Sequence, residues 1–193
     1  MYKPYIFLSI PFLVLFLTGC AGNVAAESNE AAPTSTPEKV RPTATPEVVP
    51  QDPPTTCLIT VPQDPPFTPP APYDALGFEG DFWYGSNSLW TAVPQSGTWR
   101  GLPLNSGGYT QKVFWWREGY VWNEEPEPNL IVTGERLDAQ APPLKASKAT
   151  NAYASDIGSA MLVGVDFPTP GCWKITGRYN DEAELSFVVW VAP

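Results

Sequence analysis

The side chains that could do chemistry in this chain are carboxylates, cysteines and indoles, because histidine is absent from all 193 residues. Its absence excludes Ser-His-Asp and Cys-His catalysis, histidine zinc sites and the commonest general base together. The serines form neither a Gly-x-Ser-x-Gly elbow nor a Ser-x-x-Lys pattern, and Ser147-Lys148 is no motif. Carboxylates gather twice, as Glu118, Glu124, Glu125 and Glu127 and as Asp74, Glu79 and Asp81. A pair of them facing one cleft could serve as acid and base in glycoside hydrolysis. Acidic residues beside proline are more commonly just hydrated, and neither group has the ordered spacing of a calcium loop. The chain is therefore read as having no catalytic residue, no metal site and no cofactor.

The three cysteines are an odd count. Cys20 stands apart, at the end of Leu17-Thr18-Gly19-Cys20 and behind the apolar run Tyr5 to Leu17, with Lys3 the one cation before it. A cationic start, an apolar stretch too short to span a bilayer and small residues before a cysteine describe an export signal. These residues resemble the signal and lipobox of bacterial lipoprotein precursors. That resemblance covers residues 1–20 and implies cleavage before Cys20, acylation of its thiol and a membrane-held mature protein, since two or three acyl chains anchor stably where one does not. Residue 21 is Ala; in similar Gram-negative lipoproteins an Asp there retains the protein at the inner membrane.

With Cys20 used for lipid, Cys57 and Cys172 remain, either as a bridge or as two separate buried thiols. An exported protein can keep a disulfide, and one closing so long a loop would contribute roughly 4 to 5 kcal/mol in the chain-entropy model. A bridge is the expectation.

The formal net charge is −9, and loss of Lys3 with the signal makes it −10. That argues against nucleic acid as a partner and against electrostatic attachment to anionic lipid. Between Ala21 and Thr56 the chain is rich in Pro, Thr, Ser, Glu and Ala and has no aromatic residue. It has too little to bury to offset its ordering entropy and is expected to be a disordered tether. Val49-Pro50-Gln51-Asp52-Pro53-Pro54 recurs as Val61 to Pro66, a low-complexity repetition and not a solenoid. The organisation is thus a signal peptide over 1–19, a lipidated cysteine and disordered Pro/Thr-rich linker over 20–56, and one folded domain over 57–193.

All 8 tryptophans lie in that last part. Short β-branched and aromatic runs separated by Gly, Pro, Asn and Asp, with no sustained helical period, indicate an all-β sandwich with antiparallel sheets. The expected strands are Cys57 to Val61, Phe82 to Tyr84, Ser88 to Ala92, Thr98 to Arg100, Gln111 to Arg117, Asn129 to Thr133, Ala160 to Val165, Cys172 to Tyr179 and Leu185 to Val191. Pro62 to Pro72 is too proline-rich for a sheet interior, and Asp138 to Ser155 reads as loop with one short extended piece. In the closing hairpin Trp173, Ile175 and Tyr179 alternate with Lys174, Thr176 and Arg178. Leu185, Phe187, Val189 and Val191 return on the core side, and Ser186, Val188 and Trp190 face outward.

This hairpin resembles the last two strands of immunoglobulin-like secreted domains. Gly171-Cys172-Trp173 through Ser186-Phe187-Val188-Val189 is also similar to the end of an uncharacterised group of bacterial secreted and lipoprotein domains, which implies no activity. The chain departs from the immunoglobulin pattern: Pro170 stands where a tyrosine would precede the cysteine, and no tryptophan follows Cys57 at short spacing.

Binding rests on the aromatic runs Phe82-Trp83-Tyr84 and Phe114-Trp115-Trp116. Neighbours in a strand point to opposite faces, so Trp115 and Trp116 cannot share one core. Either Trp83, Trp115 and Trp116 form an exposed patch with Lys112 and Arg117 beside it, suited to sugar rings or a protein partner, or a second covering buries the outer ring. Loops such as Glu124 to Pro128 could supply that covering, or the strand could be central and buried on both sides. The expected function is a lipid-anchored protein of the cell envelope, on the extracytoplasmic face, whose sandwich binds or supports without catalysis. Its partners would be the membrane and a cell-wall glycan or another envelope protein; a glycan-binding module and a carboxylate hydrolase are the alternatives.

Overall fold

The computed structural model describes residues 49–73 and 78–193. The signal, the lipidation candidate Cys20, the tether up to residue 48 and Asp74 lie outside the described residues. Within them the chain is all-β, built as two facing sheets with no helix. The first sheet carries β1 (Asp81–Ser86), β2 (Leu89–Pro94), β5 (Gly108–Trp116) and β9 (Gly158–Phe167) side by side. Short β4 (Leu104–Asn105) lies on β5, and β7 (Lys145–Ala146) and β8 (Thr150–Ala154) lie on β9. The second sheet is ordered β3 (Thr98–Trp99), β11 (Ala183–Val191), β10 (Gly171–Tyr179), β6 (Leu130–Arg136).

Three expectations need correction. The sheets are antiparallel except that β3 runs parallel to β11, with Trp190 opposite Thr98 and Val191 opposite Trp99. After β2 the turn Pro94 to Gly97, closed by the Gly97 N–H donating to the Pro94 carbonyl at 2.7 Å, carries the chain to the other sheet, where β3 lies beside the last strand in the same sense. Cys57 to Val61 is not a strand, because prolines bound it on both sides and β3 already occupies that edge of β11. Only Thr60 bonds there, its N–H donating to the Val188 carbonyl at 2.9 Å. Asp138 to Ser155 holds two short strands where one extended piece was expected, since both β7 and β8 find the free edge of β9.

Alternation decides the core. Val113 and Trp115 from β5, Val163 and Val165 from β9, Trp173 and Ile175 from β10, and Phe187 and Val189 from β11 meet between the sheets. The inward series of β10 has a gap at Gly177, and the Trp115 ring fills it from the opposite sheet; a Cβ there would lie 2.6 Å from two of its ring carbons.

Part of each outer face is covered too, by the segment preceding β1. Val49, Cys57 and Ile59 pack on Trp190, Cys172 and Ala192 behind the second sheet. Phe67, Tyr73 and Phe78 then lie across the back of the first sheet over Trp90, Trp116 and Ala160. Proline suits this role because a strap laid flat on a sheet contributes side chains and needs no ladder of N–H donors. The chain is docked from Val49 onward: Arg100 donates to the Gln51 carbonyl at 2.8 Å and pairs with Asp52, so packing begins upstream of residue 57.

Candidate functional site

The sequence-picked residues scatter. Cys57 and Cys172 are bonded to each other, their Cα atoms 5.7 Å apart and both side chains buried. The backbone around the bridge is held as well, since the Cys172 N–H donates to Asp138 Oδ1 at 3.0 Å and Arg136 Nε donates to the same oxygen at 2.8 Å. Burial alone would raise the Asp138 carboxyl, but the Arg136 guanidinium and the Cys172 N–H outweigh it and hold it below the usual carboxylate range.

Trp115 and Trp116 are each 0% exposed, one between the sheets and one under the strap. Trp83 stands edge-on against Trp116, ring centres 4.9 Å apart, and is half-buried. Phe67, Tyr73 and Phe78 belong to the cluster that covers Trp116 and Trp83, and no residue of the Glu124 to Pro128 loop does. None of the three offers the broad open ring that stacking on a sugar needs. Lys112 and Arg117 are separated from them and from each other.

Lys112 borders a cleft. Pairing of β2 with β5 ends at Thr91 opposite Trp115, while β5 stays paired with β9 as far as Tyr109. Where β2 and β5 part, Asp81, Ala92, Trp99, Gln111, Lys112 and Phe114 line a space of about 280 Å³. Burial pushes the Asp81 carboxyl up. It is the only carboxylate among the described residues lining the space, so the two-carboxylate arrangement of a glycosidase is not assembled there. One carboxylate and one ammonium over aromatic rings can hold a small polar molecule.

Arg117 belongs to the opposite construction, at the end of the sandwich where β5 leads into β6. Its guanidinium carbon lies 4.8 Å from the centre of the Tyr179 ring. The Tyr179 hydroxyl donates to Glu125 Oε2 at 2.7 Å, and the Tyr120 hydroxyl donates to the Glu125 carbonyl at 3.0 Å. Burial, then the Glu125 carboxylate and Tyr179, push the Tyr120 phenol up to about 12 against the pull of Arg117, so at neutral pH it remains a donor. These bonds fix the acidic loop that the sequence suggested was merely hydrated. Asn151 closes it from the neighbouring strand, its N–H donating to the Pro126 carbonyl and its Nδ2 to the Trp122 carbonyl.

On this fixed loop Trp122 is 39% exposed and stacks on Tyr153 of β8, which is 60% exposed; the ring centres lie 5.6 Å apart at 26°. Sequence reasoning passed over both. The available signal was that Trp122, in Tyr120-Val121-Trp122-Asn123-Glu124, belongs to no alternating run that could bury it. Compared with known protein families, with curated proteins and with solved structures, the chain matches none.

Proposed function

We propose that this is a lipid-anchored, extracytoplasmic protein of the cell envelope whose β-sandwich acts as a non-catalytic binding module. The observation that carries the binding role is the division of the domain into two ends. The chain enters beside Trp190 and Cys172, where the disulfide fastens it. The fixed loop with the exposed Trp122 and Tyr153 lies at the other end of the same strands. From the pair Cys172 and Trp190 to the pair Tyr179 and Ala183 is seven residue steps of the β10–β11 ladder, about 23 Å at ~3.3 Å per residue. A module tethered at one end and presenting an ordered, partly apolar tip at the other is built to reach a partner. The anchor rests on Leu17 to Cys20 and on the acyl-chain energetics given above.

The anchor is tested by expressing the full chain in a bacterial host with labelled fatty acid. Label should enter the native chain and not Cys20→Ser, and the variant should appear in the soluble fraction or as an uncleaved precursor. A Cys20→Ser protein that is processed and still sediments with membranes overturns the anchor.

A further inference from the structure

We propose that the Trp122–Tyr153 stack is a platform for one uncharged sugar ring, specifically an equatorially substituted pyranose. This deepens, and rests on, the reading of the domain as a binding module. Three observations select that occupant. The first is shape. The two rings are nearly parallel, one resting on the other, so each covers one face of its neighbour, and Tyr153, the more exposed at 60%, turns its free face to solvent. A pyranose with equatorial substituents presents a flat face of polarised C–H groups, which the negative π face attracts.

The second is size. Because stacked rings turn their free faces away from each other, one ligand can cover only the free face of Tyr153, 60% exposed, on the order of 100 Å² for a side chain whose full burial is 150–250 Å². A stable protein partner needs about 800 Å² on each side, whereas a single sugar ring fits the smaller area.

The third is charge. Glu118, Glu124, Asp156, Asp181 and Glu182 stand exposed around this end. Of the cations at this end, Lys148 pairs with Glu127 and Arg178 with Glu184, while Arg117 lies against the Tyr179 ring and donates to the Glu118 carbonyl, so the carboxylates are in excess. Polyanionic glycans and anionic lipid are therefore repelled, and a neutral ring with hydroxyls or amides is accepted. The loop is ordered in advance by Tyr120, Tyr179, Glu125 and Asn151, so little conformational freedom remains to be lost on binding.

The test uses the full-length chain in a polyoxyethylene detergent, which has no sugar headgroup, with saturation-transfer NMR against chitohexaose and cellohexaose. Polygalacturonate serves as the anionic probe and tetramethylammonium as the cationic one. One ring on one platform should bind with a Kd of order 1 mM. Tyr153→Ala and Trp122→Ala should each weaken binding by about tenfold or more, and Tyr153→Phe by less than about twofold, because stacking and not the hydroxyl is at work. Tyr153→Ala is the decisive variant, since an exposed edge-strand position can be truncated without unfolding, checked by an unchanged thermal midpoint. No binding of either oligosaccharide, equal binding by Tyr153→Ala, or preference for polygalacturonate or tetramethylammonium overturns the platform. Sugar binding by a chain that carries no fatty-acid label leaves the platform standing and removes the anchor. Labelled, membrane-held chain that binds no sugar does the reverse.

Discussion

Trp115 and Gly177 show what one residue decides in this domain. The indole crosses from β5 to the second sheet only because β10 has no side chain at Gly177, where a Cβ would stand 2.6 Å from the ring. Both residues lie on the interior side of sheets already packed to native density, so the ring has nowhere to retreat. Gly177→Ala is expected to destabilise by about 1 to 3 kcal/mol through overpacking. Urea unfolding should show a lower midpoint with an unchanged slope. Combining it with Trp115→Phe, which shortens the intruding ring, should recover part of the loss, and strictly additive costs would show that the two residues are not coupled. Trp116 Nε1 donates to the Ile157 carbonyl and Trp173 Nε1 to the Thr169 carbonyl, each at 3.0 Å. The indole N–H groups of Trp90 and Trp190, equally buried, find no acceptor among the described residues. These are rings kept for packing despite an unmade bond.

Among the elements, the strap before β1 is the least conventional and does the most for the aromatic runs. It is not a strand, yet Phe67 and Tyr73 meet Trp90 at 5.9 and 5.7 Å between ring centres, and the Tyr73 hydroxyl donates to the Ser159 carbonyl at 3.1 Å. Phe78 covers Phe114 and Trp116 in the same way. Removing both Phe67 and Tyr73 as alanine should uncover Trp90 while leaving the ladders between strands intact. Tryptophan emission should shift to the red and become accessible to acrylamide. The stability loss should be about 2 to 4 kcal/mol, below that of two fully buried rings because both side chains are only half-buried. Unchanged emission and quenching would mean that the outer face of the first sheet is sealed by something other than this strap.

At the scale of the whole molecule, the disulfide joins the strap to the sandwich. It ties Cys57 to Cys172 across a sequence separation of 115, so reduction frees a long loop in the unfolded chain and lets the strap lift from Trp190 in the folded one. The chain-entropy contribution of about 4 to 5 kcal/mol corresponds to a fall in thermal midpoint on the order of ten degrees or more. Both sulfur-bearing side chains are buried, so reductant should act slowly on the folded protein and quickly in denaturant. Thiol titration in denaturant without reductant checks the bond, and melting with and without reductant checks its worth. Two free thiols per chain, or an unmoved midpoint, would remove the disulfide from the account of stability.

The sequence by itself determined what depends on neighbours along the chain. Alternation in Cys172 to Tyr179 and Leu185 to Val191 set which side chains face the core, because strand geometry puts successive residues on opposite faces. The same rule showed that Trp115 and Trp116 must part, and the lipobox resemblance, in setting Cys20 aside, left Cys57 and Cys172 as the candidate pair. Only the tertiary structure decided what lies against each face. Proline composition marked Pro62 to Pro72 as no strand but carried no sign of the sheet it would cover, so a β5 buried on both sides is legible in the sequence while the segment that lies over Trp116 is not. The parallel pairing of β3 with β11 depends on which edge remains free after the long hairpins form, a property of no local window. Trp122 and Tyr153, separated in sequence by β6 and β7, carry no periodic signal in common; they become one surface only because β8 pairs with β9 and Asn151 holds the β5–β6 loop against it.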